Sequence, residues 1–215
     1  VALSCLRRGT WLTPRRLLSV CKATGDAVLP VALATATAGI IIAVVTLTGI
    51  GLKFSSLIVT LSGGSLFLAL VLTMLSSLIL GMGLPTAAAY ILVATLAAPV
   101  LASLGVDLLA AHMFVFYSAL LSAITPPVAL ATFAAAAISG ENPMRIAIVS
   151  VKFGIVAFVI PYVFVMDIRL LGVGEFSTLI VPVGSAALGV IALACAAQGW
   201  LVGTLGRVLR IALFA

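Results

Sequence analysis

The sequence predicts an all-α polytopic membrane protein containing a re-entrant helical hairpin and a broken transmembrane helix. Three observations carry that prediction. The chain is 64% hydrophobic and only 7% charged, with a mean hydropathy of +1.42, far outside the composition of water-soluble domains. Uncharged runs cover residues 27–52, 54–106, 153–166 and 176–206, and about 20 apolar residues suffice for one helical crossing. Two apolar stretches are interrupted by Gly and Pro, in "LGMGLPT" at 80–86 and "SAITPPVAL" at 122–130. A β-barrel would instead alternate polar and apolar residues.

Residues 1–27 come first. Arg7, Arg8, Arg15, Arg16 and Lys22 alternate there with Leu6, Trp11, Leu12, Leu17, Leu18 and Val20. A signal peptide would place an unbroken apolar core after its charges, so this segment reads as a basic amphipathic helix lying in the membrane interface. The sequence opens on Val1, which suggests part of a longer polypeptide. A first span follows over 28–50, rich in Ala, Thr and Val, and Gly49, Gly51 and Lys53 close it.

The stretch 54–106 is about twice what one helix needs. "SGGS" at 62–65 is a turn signal, and the tip at 81–86 divides the remainder into arms of about 66–80 and 85–103. Each arm is short for a full crossing, so 66–103 reads as a re-entrant hairpin; two ordinary spans joined by a tight turn are the alternative. Between Asp107 and Glu141 lie 33 residues without a formal charge. One continuous helix would be roughly 50 Å long at 1.5 Å per residue, too long for the hydrocarbon core. Thr125, Pro126 and Pro127 therefore break a helix over 108–139. "SGENPMR" at 139–145 is a polar turn, and a span over 146–166 contains Pro161. The region 173–215 holds a last span and a basic tail with Arg207 and Arg210.

Charge placement orients this layout. Arg7, Arg8, Arg15, Arg16, Lys22, Arg145, Arg207 and Arg210 fall on one side, and Lys53 and Arg169 on the other. The positive-inside rule makes the first side, with both ends of the segment, cytoplasmic. The net charge of +6 thus belongs to membrane topology, and a nucleic-acid partner is not expected. One His, five carboxylates and three scattered Cys offer neither a metal cage nor a nucleophile–base pair, so an enzyme is not expected.

Irregular backbone at membrane depth survives only where protein or a water-filled cavity satisfies it. A helix that ends there leaves carbonyls for a cation. One that starts there presents N–H groups and a positive dipole end to an anion. This arrangement suits a secondary transporter. Gly81 and Gly83 are expected to adopt positive φ and expose carbonyls, and Pro85 to open the second hairpin arm. Thr125 is expected to cap the second half-helix, with Pro126 and Pro127 in its first turn. Thr86, Ser118, Ser122 and Thr125 add hydroxyl oxygens. The candidate site for a hard cation such as Na⁺ and for an anion is therefore Gly81, Met82, Gly83, Thr86, Ser118, Ser122, Thr125, Pro126 and Pro127, and no other cofactor is expected. Plainer roles suit other residues: Asp107 as a helix cap, Ser76 and Ser77 as interhelical contacts, His112 as a hydrogen-bonded helix residue, and Pro161 as a kink.

At "GIIIAVVTLTGIGLKFS" (39–55), "LGMGLPTAAAYI" (80–91), "AAHMFVFYSALLSAITPPVALATFAAAAI" (110–138) and "NPM" (142–144) the chain resembles the large membrane subunit of tripartite ATP-independent periplasmic (TRAP) transporters. It most resembles the C-terminal part of the type in which small and large subunits are fused. The resemblance covers about 25–172. It implies an elevator-type fold of two inverted repeats, this chain holding the second, with "GMGLPT" as hairpin tip and "ITPPV" as the facing break. It further implies sodium-driven import of organic anions, commonly carboxylates. A periplasmic binding protein would deliver the substrate, and the first repeat and small-subunit region of the same permease would complete the site. Many separate-subunit members carry Gly where this chain has Ala129, and often Asn where it has Ser118. Two other readings stand beside this one: a carrier of another fold, such as a citrate or dicarboxylate transporter, and a non-transporting assembly subunit of a membrane complex.

Overall fold

The computed structural model describes residues 14–200 together with Gly203 and Gly206. The first half of the expected interfacial arm, 1–13, and most of the basic tail lie outside the described residues. Among the described residues nine α-helices follow one another: α1 Pro14–Thr48, α2 Ile50–Ser62, α3 Leu66–Gly81, α4 Thr86–Ser103, α5 Leu108–Leu121, α6 Leu130–Ser139, α7 Pro143–Phe153, α8 Ile155–Met166 and α9 Phe176–Gln198. A short 3₁₀ turn, Ile168–Leu171, precedes α9. The chain is an all-α, polytopic membrane protein. Among the described residues two single helices are long and apolar enough to cross a bilayer, and up to four spans exist if each bent pair counts as one.

The N-terminal helix does not stop where the arm was expected to end. α1 runs from Pro14 through Thr48, with Pro14 in its first turn, where no N–H is needed, and it continues through Gly25, Pro30 and Gly39 without a break. It ends at Gly49, whose φ of +67° is the left-handed conformation glycine takes without steric cost. The chain there bends by 73° into α2, a helix that the sequence reading left unassigned. The Ser55 hydroxyl donates to the Leu96 carbonyl of α4 at 3.2 Å and ties α2 to the core.

The core is built from α3, α4, α5 and α8. α4 lies at its centre, with 56% of its apolar span buried against 6% for α9. Phe114 of α5 is fully buried, and its ring meets Tyr162 of α8 edge-on at 5.2 Å. The Tyr162 hydroxyl reaches Met74 Sδ of α3 at 3.5 Å. Leu70, Met74, Leu78, Leu101 and Phe114 form the largest apolar cluster. The outer surface stays apolar, as at Ile138, 90% exposed, and Val181, 77% exposed. In lipid such a face needs no protein cover.

Local signals explain the helix starts. Asp107 Oδ1 accepts from Leu109 N–H at 2.8 Å and caps α5. Asn142 Oδ1 accepts from Met144 N–H at 2.8 Å and Pro143 takes the first position of α7, where no N–H is needed. Ser76 and Ser77, expected to bridge helices, instead donate to Leu72 and Thr73 carbonyls of their own helix. The Thr73 hydroxyl is buried without a hydrogen-bond partner, an arrangement that costs about 1–3 kcal/mol. The expected span over 146–166 is bent by 44° between α7 and α8, and the bend falls at Gly154 rather than at Pro161.

Candidate functional site

The hairpin tip is a four-residue turn between α3 and α4. Met82 N–H donates to Ile79 O, and Leu84 N–H to Gly81 O, both at 3.3 Å. Gly83 carries φ +79°. Among the described residues no backbone N–H reaches the carbonyls of Met82 and Gly83. Thr86 opens α4 one position after Pro85, which stands at the cap rather than inside the first turn.

The break in the second element spans 122–129. Ala123, Ile124 and Thr125 N–H groups fold back onto Leu120, Leu121 and Ser122 carbonyls. Ala131 N–H then donates to the Ala123 carbonyl at 3.0 Å and closes the loop across the break. Residues 126–128 form a further turn, and among the described residues no backbone N–H makes a short hydrogen bond to the carbonyls of Thr125, Pro126 and Pro127.

Two expected roles are corrected here. Thr125 does not cap the second half-helix: its hydroxyl donates backward to the Leu121 carbonyl at 2.7 Å. Pro126 and Pro127 lie in the loop, because α6 begins only at Leu130 with Ala129 as its cap. A threonine near a helix end can bond to the carbonyl four residues earlier as readily as it caps the next helix, and here the earlier carbonyl wins. Ala129 sits at φ +41°, ψ +57°, in the left-handed region, and is 2% exposed.

The tip and the break meet. A Cβ placed on Gly81 would stand 2.6 Å from Ser122 Oγ and 3.1 Å from Ser122 Cβ. Gly81 is therefore required for close approach. It ends α3 in a helical position and does not adopt the positive φ expected of it; Gly83 alone does so at the tip. A Cβ on Gly83 would lie 3.7 Å from Val128 Cγ1. Ser118 and Ser122 are buried and donate to Phe114 and Ala119 carbonyls at 2.7 and 2.6 Å. A hydroxyl that donates keeps its acceptor lone pairs. Gly81, Gly83, Ser118 and Ser122 thus share one neighbourhood, whereas Thr125 bonds only within its own segment.

A third interruption joins them, and the sequence reading missed it. A Cβ on Gly154, at the bend between α7 and α8, would lie 3.1 Å from the Ser150 carbonyl oxygen and 3.2 Å from Ile124 Cδ1. Ile124 belongs to the broken loop. The signal was a lone Gly after Lys152-Phe153 inside an apolar run. On the other side of the break, a cleft of about 190 Å³ opens between α6 and α7, lined by Pro127, Ala129, Thr132, Phe133 and Asn142. The hydrogen-bonded pair of Tyr90 Oη and His112 Nδ1, 3.0 Å apart, lines a separate open groove along α4 and α5.

Outside the spans, the Arg169 side chain donates three hydrogen bonds to the Asp167 carboxylate, including Nη2 to Oδ2 at 2.6 Å. The hydrogen bond from Arg169 holds the Asp167 carboxyl below the usual carboxylate range and raises the guanidinium in turn.

Comparison with curated proteins and with solved structures gives no significant match. A family model described as "Tripartite ATP-independent periplasmic transporter, DctM component" matches residues 2–179. That match covers most of the chain, including the hairpin tip, the break and the Gly154 bend, and the chain accordingly belongs to the DctM family of tripartite ATP-independent periplasmic transporters.

Proposed function

We propose that the chain is the membrane permease portion of a secondary active importer that takes up organic anions, carboxylates in the first place, coupled to Na⁺. Membership of the transporter family supports the class of activity. The observation that carries the finer reading is the meeting of hairpin tip and helix break at Gly81 and Ser122. Unpaired carbonyls on both segments and the hydroxyls of Ser118 and Ser122 offer neutral oxygens, the ligands a hard cation needs. The N-terminus of α4 brings N–H groups and a positive dipole end to the hairpin tip, which favours an anion. Gly81, Met82, Gly83, Thr86, Ser118, Ser122, Thr125, Pro126 and Pro127 remain the proposed contact set.

In this reading a periplasmic binding protein delivers the substrate, and the first repeat and small-subunit region of the same permease supply the remaining contacts. The segment sits in a bacterial or archaeal inner membrane with its ends in the cytoplasm, and the hairpin and broken helix move together in an elevator cycle.

The test is uptake of radiolabelled carboxylate by the complete transporter in proteoliposomes, with its binding protein present. Replacing Na⁺ by choline should abolish uptake. Thr125→Ala and Gly83→Leu should each lower uptake while membrane insertion is retained. Uptake that persists in choline would overturn sodium coupling, and wild-type sodium dependence in both variants would remove the assigned site.

A further inference from the structure

The unpartnered hydroxyl of Thr73 lies on a particular seam. Thr73, Ser77 and Gly81 recur at intervals of four along α3, so they follow one stripe of that helix. Gly81 places the stripe against Ser122 of the broken element. α4 runs antiparallel to both α3 and α5, so those two helices run parallel and pack directly on each other. Four residues back from the Gly81–Ser122 contact, Ser77 comes level with Ser118. Another four bring Thr73 level with Phe114, whose carbonyl accepts the Ser118 hydroxyl.

All four hydroxyl-bearing residues are buried: Thr73, Ser77 and Ser118 at 0% exposure and Ser122 at 2%. Three of them donate to carbonyls of their own segment: Ser77 to Thr73, Ser118 to Phe114 and Ser122 to Ala119. Their donors are thus committed while their acceptor lone pairs stay available. Thr73 alone has both its donor and its acceptor capacity unused. A buried water typically makes two to four hydrogen bonds to such groups.

We propose that the seam between α3 and α5 holds one ordered internal water, anchored by Thr73. The Thr73 hydroxyl donates to the water oxygen, and the water donates to the lone pairs of Ser77 Oγ and Ser118 Oγ. The hydration site lies about two helical turns along α3 from the hairpin tip, roughly 12 Å at 1.5 Å per residue, and shares only Ser118 with the proposed ion contact set. It does not rest on the sodium-coupled reading.

The test uses the complete permease in lipid nanodiscs. A density map sharp enough to resolve bound waters should show a peak within hydrogen-bonding distance of Thr73 Oγ1. A hydroxyl turned onto the Ala69 or Leu70 carbonyl with no such peak overturns the proposal. Thr73→Val keeps the side chain's shape and removes the hydroxyl. It should lower the unfolding midpoint by about 2–4 °C, equally in Na⁺ and choline buffers, while Thr73→Ser stays closer to wild type. An unchanged or raised midpoint for Thr73→Val overturns the proposal, because a merely orphaned hydroxyl is better replaced by a methyl. A loss confined to Na⁺ buffer overturns it in favour of a cation.

Discussion

Gly81→Ala tests the contact that joins the hairpin tip to the helix break. The new methyl would stand 2.6 Å from Ser122 Oγ and 3.1 Å from Ser122 Cβ. Turning the Ser122 hydroxyl away relieves only the first contact and forfeits its hydrogen bond to Ala119, worth about 1 kcal/mol. The Cβ contact remains, and overpacking of this kind costs about 1–3 kcal/mol. Alanine returns at most about 1 kcal/mol through its better helix propensity. The net expectation is a loss of about 1–3 kcal/mol. Since about 1 kcal/mol shifts the midpoint by 2–4 °C in a chain of this size, thermal unfolding of the purified protein should show a drop of a few degrees. The diagnostic quantity is the coupling. Ser122→Ala removes the nearer atom and should rescue in part, while Ser122→Gly removes both and should rescue most of the loss. A double-mutant cycle should therefore return about 1–3 kcal/mol of favourable interaction. Additivity within about 0.5 kcal/mol would refute the claim that these residues touch.

Three further outcomes follow from the same geometry. Ala129→Gly should raise the unfolding midpoint by about 2–4 °C, because a left-handed alanine at φ +41° carries about 1–2 kcal/mol of strain that glycine lacks; a lowered midpoint would contradict the strain. Gly154→Ala should destabilise by about 1 kcal/mol, since its methyl meets the immovable Ser150 carbonyl as well as Ile124 Cδ1, and Ile124→Val should relieve only the second contact; full rescue by Ile124→Val would show that the backbone contact is harmless. The Asp167–Arg169 pair gives a pH signature: because the folded carboxyl titrates below its ordinary value, any stabilisation is complete above that ordinary value and lost as pH falls through the depressed one. Unfolding midpoints of wild type and Asp167→Asn should therefore converge on acidification, and a gap that widens would reverse the sign.

Much of the helical layout was legible because the bilayer imposes coarse rules. Uncharged run length marks apolar helices, and a Gly or Pro cluster inside such a run marks an interruption. The turn at 82–85 and the break at 122–129 were found that way. What stayed hidden depends on which residues come together. "FSSLIVTLS" after Lys53 carries no start signal, yet it forms most of α2 because Gly49 redirects the chain and Ser55 finds the Leu96 carbonyl. Gly81 looked like a source of positive φ, as Gly83 is, but its function is set by Ser122, 41 residues away. Thr125 could accept from N–H groups of the helix ahead or donate to a carbonyl of the helix behind, and both options were open in the sequence. Position 129 was different again. The resemblance marked it as a place where relatives often carry Gly, and the left-handed backbone there supplies the physical reason.

The convergence of three interruptions follows from the solvent. In water, a Gly bend or a Pro break can sit anywhere on the surface, because water satisfies the freed backbone groups. In lipid each freed carbonyl needs protein or an enclosed polar pocket beside it. Interruptions scattered over the lipid-facing surface would each carry that cost alone. Interruptions that face one another share one protected region. Gly81 against Ser122 and Gly154 against Ile124 place the hairpin tip and the α7–α8 bend on two sides of the same loop. That clustering explains why a sequence so dominated by apolar side chains keeps Gly and Pro in its interior. It also predicts a dependence that single-site inspection would miss. Because the broken loop touches both neighbours, a change at Gly154 should couple to Gly81→Ala through 122–124, although neither glycine contacts the other. If the two substitutions prove additive, the three breaks are neighbours without being one unit.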